Sequence, residues 1–415
     1  MSMENYVLEK KCRICSSTNL KLILDLENQP PANALIDKNM LDNIEEKFPL
    51  RLFWCNDCFL VQLLDIVNKE FLFKNYLYMT SASTPIVNHF SEYAKSIYEK
   101  FLYNIDNPLV VEIGSNDGSL LSGFKKLGVS ILGIEPASNL SKIANDSKIT
   151  TINDFFSTNI AKEIANSNQV SVIVANNVIA HIEDLHDLMK GIKIIIDNDG
   201  IFIFEVPYLI DFIKKLEFDT IYHEHLSYFS ILPLIKLMSQ FGLEIFDIEK
   251  YDVHGGSLRI FVSKKNNFKI NNSVQKFIDD EYEFGLNDFA VYEKFAIKVY
   301  ELKKNLKKIL LQLKKENKSI FGYGASAKGN VLLNFCNIDN ELLDFIVDTT
   351  TLKQGKYTPG THIPVISSEK FLEKGKNDVA LLLAWNYADF ILKKEELFRK
   401  KGGKFLIPVP EPHLE

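Results

Sequence analysis

Tyr222-His223-Glu224-His225 puts two imidazoles, a carboxyl and a phenol in one short stretch. Such groups move protons near neutral pH. H-E-H also offers metal ligands. Taken as an extended segment, however, the stretch sends His223 and His225 to one face and Glu224 to the other. Proton transfer fits better, with a plain structural role as the alternative. Four of the five cysteines form two pairs, Cys12-Arg13-Ile14-Cys15 and Cys55-Asn56-Asp57-Cys58. Two C-x-x-C turns bring four thiolates to a tetrahedral zinc. Four thiolates leave no open position, so this zinc is expected to support folding and not to touch the chemistry. Reduced structural cysteines are the bland alternative. Cys336, alone in an apolar segment, reads as core.

A third stretch, Val110-Val111-Glu112-Ile113-Gly114-Ser115-Asn116-Asp117-Gly118, is an apolar run followed by a polar, Gly-containing turn. A helix-compatible segment, Ser119 to Leu127, leads to a second apolar run that ends at Glu135. In a β-turn-α-β unit the turn lets backbone approach a ligand. The acid after the second strand accepts from ribose hydroxyls. The spacing alone also suits a nicotinamide cofactor, although G-x-G-x-x-G is absent. E-x-G-S-N-D-G followed by G-I-E-P resembles the first two motifs of class I S-adenosylmethionine methyltransferases. The resemblance implies cofactor contacts at Glu112, Gly114, Ser115, Asn116, Asp117, Glu135 and Pro136. It also implies Asp154 at the adenine amino group, Phe155 on the ring, and Asn176 and Asn177 facing the methyl donor.

The elements that must position these residues follow from periodicity. Alternating strand and helix signals run from Pro108 to about Lys264: strands near Val110–Ile113, Ile131–Ile134, Ile149–Ile152, Val170–Ala175 and Gly200–Val206. Ile245–Ile248 and Ser257–Val262 read as a closing antiparallel pair. The expected fold class is α/β, a doubly wound sheet with ligands at the carboxyl ends of its strands. Phe59–Leu64 reads as a strand of the cysteine module, and Ile86–Phe101 as a helix into the central fold. Asn272 to Lys318 suits one long helix or two broken near Gly285. Its lysines read as a solvated face. Beyond it, Ser319–Tyr323, Leu343–Val347, Val379–Leu383 and Phe405–Val409 predict a second Rossmann-like lobe. Gly322-Tyr323-Gly324-Ala325-Ser326-Ala327-Lys328-Gly329 suits a phosphate at a helix start, held by backbone N–H groups and the Lys328 ammonium. A ligand-free lobe is the alternative. The divisions expected are 1–80, 81–270 and 271–415.

Composition narrows the function. With 415 residues, 46% of them hydrophobic, the chain supports two or three domains with substantial cores. A net charge of −6 argues against a general nucleic-acid binder. No apolar run reaches membrane-spanning length, and MSMENYVLEKK lacks a signal-peptide core. Paired C-x-x-C suits a reducing compartment, so a cytoplasmic protein is expected.

Taken in order, the two C-x-x-C pairs, E-I-G-S-N-D-G, N-N-V-I-A-H-I, Y-H-E-H-L-S-Y-F, H-G-G-S-L-R and G-Y-G-A-S-A-K-G resemble the C-methyltransferases of nucleotide-linked 4-keto sugars. The resemblance covers nearly the whole chain. It implies a zinc-binding N-terminal part, a methyltransferase core and a C-terminal lobe for the nucleotide sugar. It implies His225 as the base, with Tyr222, Glu224 and His181 as neighbouring polar groups. Substrate contacts are expected at Tyr76, Tyr78, His254, Ser257, Arg259, Tyr323, Ser326, Lys328, Asp348 and Asn386. S-adenosylmethionine and zinc are the implied cofactors, and a nucleoside-diphosphate 4-keto sugar the implied substrate. C-3 methylation is favoured over C-5 on the resemblance alone. A small-molecule O- or N-methyltransferase, a nicotinamide-dependent sugar oxidoreductase and a zinc-ribbon nucleic-acid binder are the competing classes. No nucleic-acid or membrane partner is expected. Oligomeric state is not legible, and a monomer is compatible with everything above.

Overall fold

A computed structural model describes residues 5–73, 79–166, 169–253 and 255–415. Three large sheets organise them. The first is four-stranded and runs in the order Ser227–Tyr228, Val61–Leu63, Phe48–Cys55, Leu20–Gln29. Its first strand comes from the middle of the chain. Ser227 lies opposite Gln62, and Tyr228 opposite Val61, in antiparallel register. The stretch that carries Tyr222–His225 therefore enters the sheet of the cysteine module.

The central sheet is seven-stranded: Leu243–Tyr251, Ser257–Lys264, Ile196–Pro207, Val170–Asn176, Leu109–Ile113, Ser130–Ile134, Thr151–Ile152. The five strands from Ile196–Pro207 onward are mutually parallel, and the last hairpin is antiparallel. Runs such as Val170-Ser171-Val172-Ile173-Val174-Ala175 are buried on both faces, as a parallel sheet covered by helices requires. Crossovers leave Leu109–Ile113 in one direction and enter Val170–Asn176 from the other. The loops after these two strands diverge and open a crevice at the switch point.

The third sheet runs Val365–Ser367, Ile346–Asp348, Ser319–Tyr323, Asp378–Leu382, Lys404–Ile407, His413–Leu414, parallel except for the last strand. Two helices connect it to the central sheet, Asn272–Phe284 and Phe289–Lys315. Gly285 separates them because the first helix ends in a left-handed residue, φ +89°, at no steric cost to glycine. The second helix buries Tyr292, Phe295, Val299, Leu302, Leu306, Leu310 and Leu313, a stripe at helical spacing. Lys294, Lys298, Lys304, Lys308 and Lys315 are exposed as expected, whereas Lys303 packs on Phe335 and pairs with Glu27, and Lys307 and Lys314 donate to Asn337 O and Asp344. Among the described residues, no helix is long and apolar enough to cross a membrane.

Two expected substrate contacts belong instead to the central core. Ser257 is fully buried and donates to the Val253 carbonyl. Arg259 is only 1% exposed, and its Nε and Nη2 donate to Glu205 at 2.9 and 2.7 Å. Its guanidinium lies 3.8 Å from the Tyr93 ring centroid and 4.2 Å from that of Tyr251. Strand alternation turns Arg259 inward, and a buried guanidinium needs its carboxylate. Burial pushes the Glu205 carboxyl up, but His89 and Arg259 outweigh it and leave the pKa lowered. Arg259→Met strips the guanidinium partner from a buried charge. It should cost about 3–5 kcal/mol by urea denaturation. A loss below ~1 kcal/mol would mean that the pair is dispensable.

Candidate functional site

The four cysteines form two similar turns. Ser16 N–H donates to Cys12 O at 2.9 Å, and Phe59 N–H to Cys55 O at 2.8 Å. Ser16 and Phe59 both take positive φ, which closes each turn back on its first cysteine. Cys12 Sγ lies 3.4 Å from Cys58 Sγ, Cys15 Sγ 3.6 Å from Cys55 Sγ, and all four lie within 4.8 Å of one another. A tetrahedral ion with Zn–S bonds of about 2.3 Å separates its sulfurs by roughly 3.8 Å, so the group fits zinc. The turns dock on the central domain. His186 and Gln240 donate to Ile14 O at 2.8 and 3.2 Å, and Arg13 donates to Leu63 O and Ser227 Oγ.

One cavity of about 490 Å³ occupies the crevice and runs on past Tyr222–His225 to Lys328 of the C-terminal lobe. Glu112, Gly114, Ser115, Asn116, Glu135, Pro136, Phe155, Asn176 and Asn177 line one end. Gly114 (φ +69°) and Asn116 (φ +51°) are left-handed, so the turn folds tightly at the strand end. Glu135 Oε2 accepts from Asn116 N at 2.8 Å, and Oε1 from Ala137 N at 2.9 Å. These bonds aim the carboxylate while each oxygen keeps a lone pair for another donor. Burial raises the Glu135 pKa, against the pull of those amides. Burial raises Glu112 well above its usual range, helped by the charges of Glu135 and Asp117. Among the described residues, Glu112 Oε2 and Ser115 Oγ are buried without a hydrogen-bond partner. Acceptors at two adjacent strand ends, with an aromatic ring nearby, match the ammonium, ribose and adenine of S-adenosylmethionine.

Two expected cofactor contacts lie outside the cavity. Asp117 accepts from Ser81 N at 2.9 Å and from Ser119 Oγ at 2.5 Å, so it ties the turn to the chain before the central fold. Asp154 is exposed and accepts from Phe155 N at 2.7 Å. A cavity residue that carries no motif is Lys69, whose ammonium lies 4.4 Å from the Phe155 ring centroid.

Tyr222, Glu224, His225 and His181 all line the cavity beyond the cofactor turn. The segment is a turn, not an extended strand: His225 N–H donates to Tyr222 O at 2.8 Å. The expected alternation therefore fails, and the two histidines take different partners, although both line the cavity. His223 Nε2 donates to Pro49 O at 3.3 Å with its ring edge-on to Phe48, and burial lowers its pKa to about 4. His225 stacks on Tyr222, centroids 3.9 Å apart, and lies 4.9 Å from the His181 ring. His225 Nδ1 donates to Thr220 O at 2.8 Å, and His181 Nδ1 to Glu224 O at 2.6 Å. With Nδ1 protonated in the neutral ring, Nε2 is the basic nitrogen of His225. Burial lowers the His181 pKa. Burial pushes Glu224 up to about 7, against two contacts from Asn33 Nδ2 at 2.8 and 2.9 Å.

At the far end, Lys328 Nζ lies 4.0 Å from Glu217 Oε2 and 5.2 Å from the Trp385 ring centroid. Glu217 and Thr220 line this end and had no sequence motif to mark them. The Gly-rich turn differs from the expected phosphate cradle. Asp348 Oδ2 accepts from Ala325 N at 2.7 Å, and Ser326 Oγ accepts from Gly329 N at 3.0 Å. A carboxylate and a hydroxyl of the lobe itself occupy the amides a phosphate would use. Tyr323 donates to Glu395 at 2.7 Å, and Asn386 lies outside the cavity. Tyr76, Tyr78 and His254 lie outside the described residues.

The purified chain should carry one zinc. Cys58→Ser should lose it and lower the melting temperature. It should also speed amide hydrogen exchange at Leu63, whose N–H donates to Leu226 O at 3.0 Å. Unchanged protection at Leu63 would separate the metal from this strand contact.

Three family descriptions match in chain order: a zinc binding domain over residues 12–73, a methyltransferase domain over 87–248 and a C-methyltransferase C-terminal domain over 252–410. The C-methyltransferase NovU of Streptomyces niveus is 34% identical over 406 residues, 97% of this chain and 96% of that protein. Solved structures match more loosely. Magnesium protoporphyrin IX methyltransferase of Synechocystis with bound SAH gives a TM-score of 0.34 at 12% identity, over 43% of this chain and 83% of that one. The CcbJ methyltransferase of Streptomyces caelestis gives 0.34 at 11% identity, over 42% and 89%. With a relative this similar over nearly its full length, the chain belongs to the C-methyltransferase family and is an S-adenosylmethionine-dependent enzyme with a zinc-binding domain.

Proposed function

We propose that the enzyme C-methylates a nucleotide-linked 4-keto deoxy sugar, with C-3 favoured over C-5. The observation that carries this reading is the His181–Tyr222–Glu224–His225 group in the same cavity as the cofactor turn. Carbon becomes a nucleophile when a proton beside a carbonyl is removed, and a C-4 ketone acidifies C-3 and C-5. His225 takes that proton on Nε2 and the electron pair passes to the ketone oxygen. Tyr222 and His181 stand close enough to His225 to polarise or steady the developing oxyanion. Bound S-adenosylmethionine supplies an activated methyl on its sulfonium, which the enolate carbon takes while sulfur keeps the bonding pair. The chain contributes position: the cofactor turn at one end, the sugar beside His225, and the nucleotide toward Lys328. The divisions near residues 80 and 270 match this sharing of tasks. A four-thiolate metal fits a reducing cytoplasm.

Glu224 supports a second reading of the base. An exposed carboxylate is too weak, but burial brings Glu224 to about 7, within range of the task. The two are separated by proton exchange. With dTDP-4-keto-6-deoxyglucose and S-adenosylhomocysteine in deuterated water, the wild type should exchange the proton at the carbon destined for methylation. His225→Ala should lose this roughly 10²–10⁴-fold and keep cofactor affinity. Exchange at the wild-type rate in His225→Ala, with loss in Glu224→Gln, would make Glu224 the base. Exchange in neither variant nor wild type would remove the ketone from the reading.

For the cofactor, calorimetry on Glu135→Ala should show S-adenosylhomocysteine binding weaker by about 1.5–3 kcal/mol, the worth of a charged hydrogen bond. Equal affinity would put the ribose elsewhere.

A further inference from the structure

The linker between the two cysteine pairs contains Gln29-Pro30-Pro31-Ala32-Asn33, which takes no part in the zinc site. Prolines fix φ at two successive positions, so the segment is stiff. Its flanks are pinned to the C-terminal lobe. Asn330 Nδ2, buried, donates to Ala32 O at 2.7 Å. Ile36 and Tyr357 exchange both backbone hydrogen bonds, at 2.9 and 2.8 Å. Between these anchors, Asn33 Nδ2 reaches both oxygens of Glu224, a residue 191 positions later. Asn33 itself is not part of the cavity wall, whereas Glu224 is. Glu224 is 3% exposed, so its orientation rests on what it bonds to.

We infer that Asn33 is a positioning residue for the reaction: held rigidly by the Pro-Pro segment and the C-terminal lobe, it fixes the orientation and charge of the Glu224 carboxyl beside His225. The inference rests on the reading that Tyr222–His225 forms the reacting centre. It assigns a task to the N-terminal lobe beyond its metal. An amide N–H stabilises the ionised carboxylate, so it works against the burial that raises the Glu224 pKa. The titratable groups around Glu224 are Tyr222, His223 and His225 on its own segment and His181, bonded to its carbonyl. Glu217 and Lys328 face the same cavity from farther along.

The test is the pH dependence of the deuterium exchange with dTDP-4-keto-6-deoxyglucose and S-adenosylhomocysteine, on full-length protein. Glu224→Gln identifies the limb that belongs to Glu224 by removing it. Asn33→Ala deletes the donor, and the near-isosteric Asn33→Asp replaces it with an acceptor. Both should move that limb upward by about one pH unit, since a donor to the ionised form is lost. Both should keep S-adenosylhomocysteine affinity, because Asn33 does not touch the cofactor end. A merely structural asparagine would lower stability and leave the limb in place, and that result overturns the inference while Glu224 keeps its role. If Glu224→Gln leaves the profile whole, the inference falls together with the reading of the centre on which it rests.

Discussion

The backbone from Leu226 to Phe229 is bonded on both sides. On one side Leu63 N–H donates to Leu226 O, and Ser227 and Tyr228 pair with Gln62 and Val61. On the other, Leu226 N–H donates to Ala180 O at 2.7 Å, and Leu209 N–H to Phe229 O at 3.0 Å. Ala180 and Leu209 follow the two strands of the central sheet that end at Asn176 and Pro207. A run of four residues thus joins the zinc lobe's sheet to the carboxyl edge of the cofactor sheet. Tyr222–His225 immediately precedes this splice and has little room to drift. Four thiolates would leave a bound metal no open position for the chemistry. Its sheet carries the segment to which we assign the chemistry, so on that reading stability of the zinc lobe and geometry of the site are one problem.

Charge in the cavity follows from the same enclosure. Low exposure makes every ionised group expensive unless a donor or counter-ion meets it. Glu135 meets two backbone amides, Glu224 meets Asn33, and Glu217 faces Lys328. His181 and His225 each place Nδ1 on a carbonyl, which orients the rings. Three lobes supply these partners. A cavity assembled this way selects its occupant by matching donors and acceptors that the closed structure leaves in place.

Much of this was legible in the chain because it is local. The C-x-x-C pairs, the Glu112–Gly118 turn and the strand that leads into Glu135 are short-range patterns, and each sits where spacing put it. The division of Asn272–Lys318 at Gly285 followed from one residue's backbone freedom. Long-range contacts were not legible. Asn33 and Glu224 are remote in sequence, and no pattern joins them. Lys69 and Glu217 reach the cavity through packing of elements that carry no motif. Several misreadings share a cause: a residue type that binds ligands also binds its own protein. Arg259 pairs with Glu205 inside the sheet. Asp348 and Ser326 fill the amide groups of the Gly-rich turn. His223 and His225 reach different carbonyls, Pro49 O and Thr220 O, because the segment turns.

The central claim is that the splice sets His225 across the sugar carbon from the methyl donor. A crystal structure with S-adenosylhomocysteine and a 4-keto nucleotide sugar bound together tests it directly. The account predicts His225 Nε2 within about 3.5 Å of the carbon beside the ketone, the cofactor sulfur on the opposite face of that carbon, and the nucleotide toward Lys328. A sugar ring bound away from His225, or a sulfur on the same face as the imidazole, would contradict it.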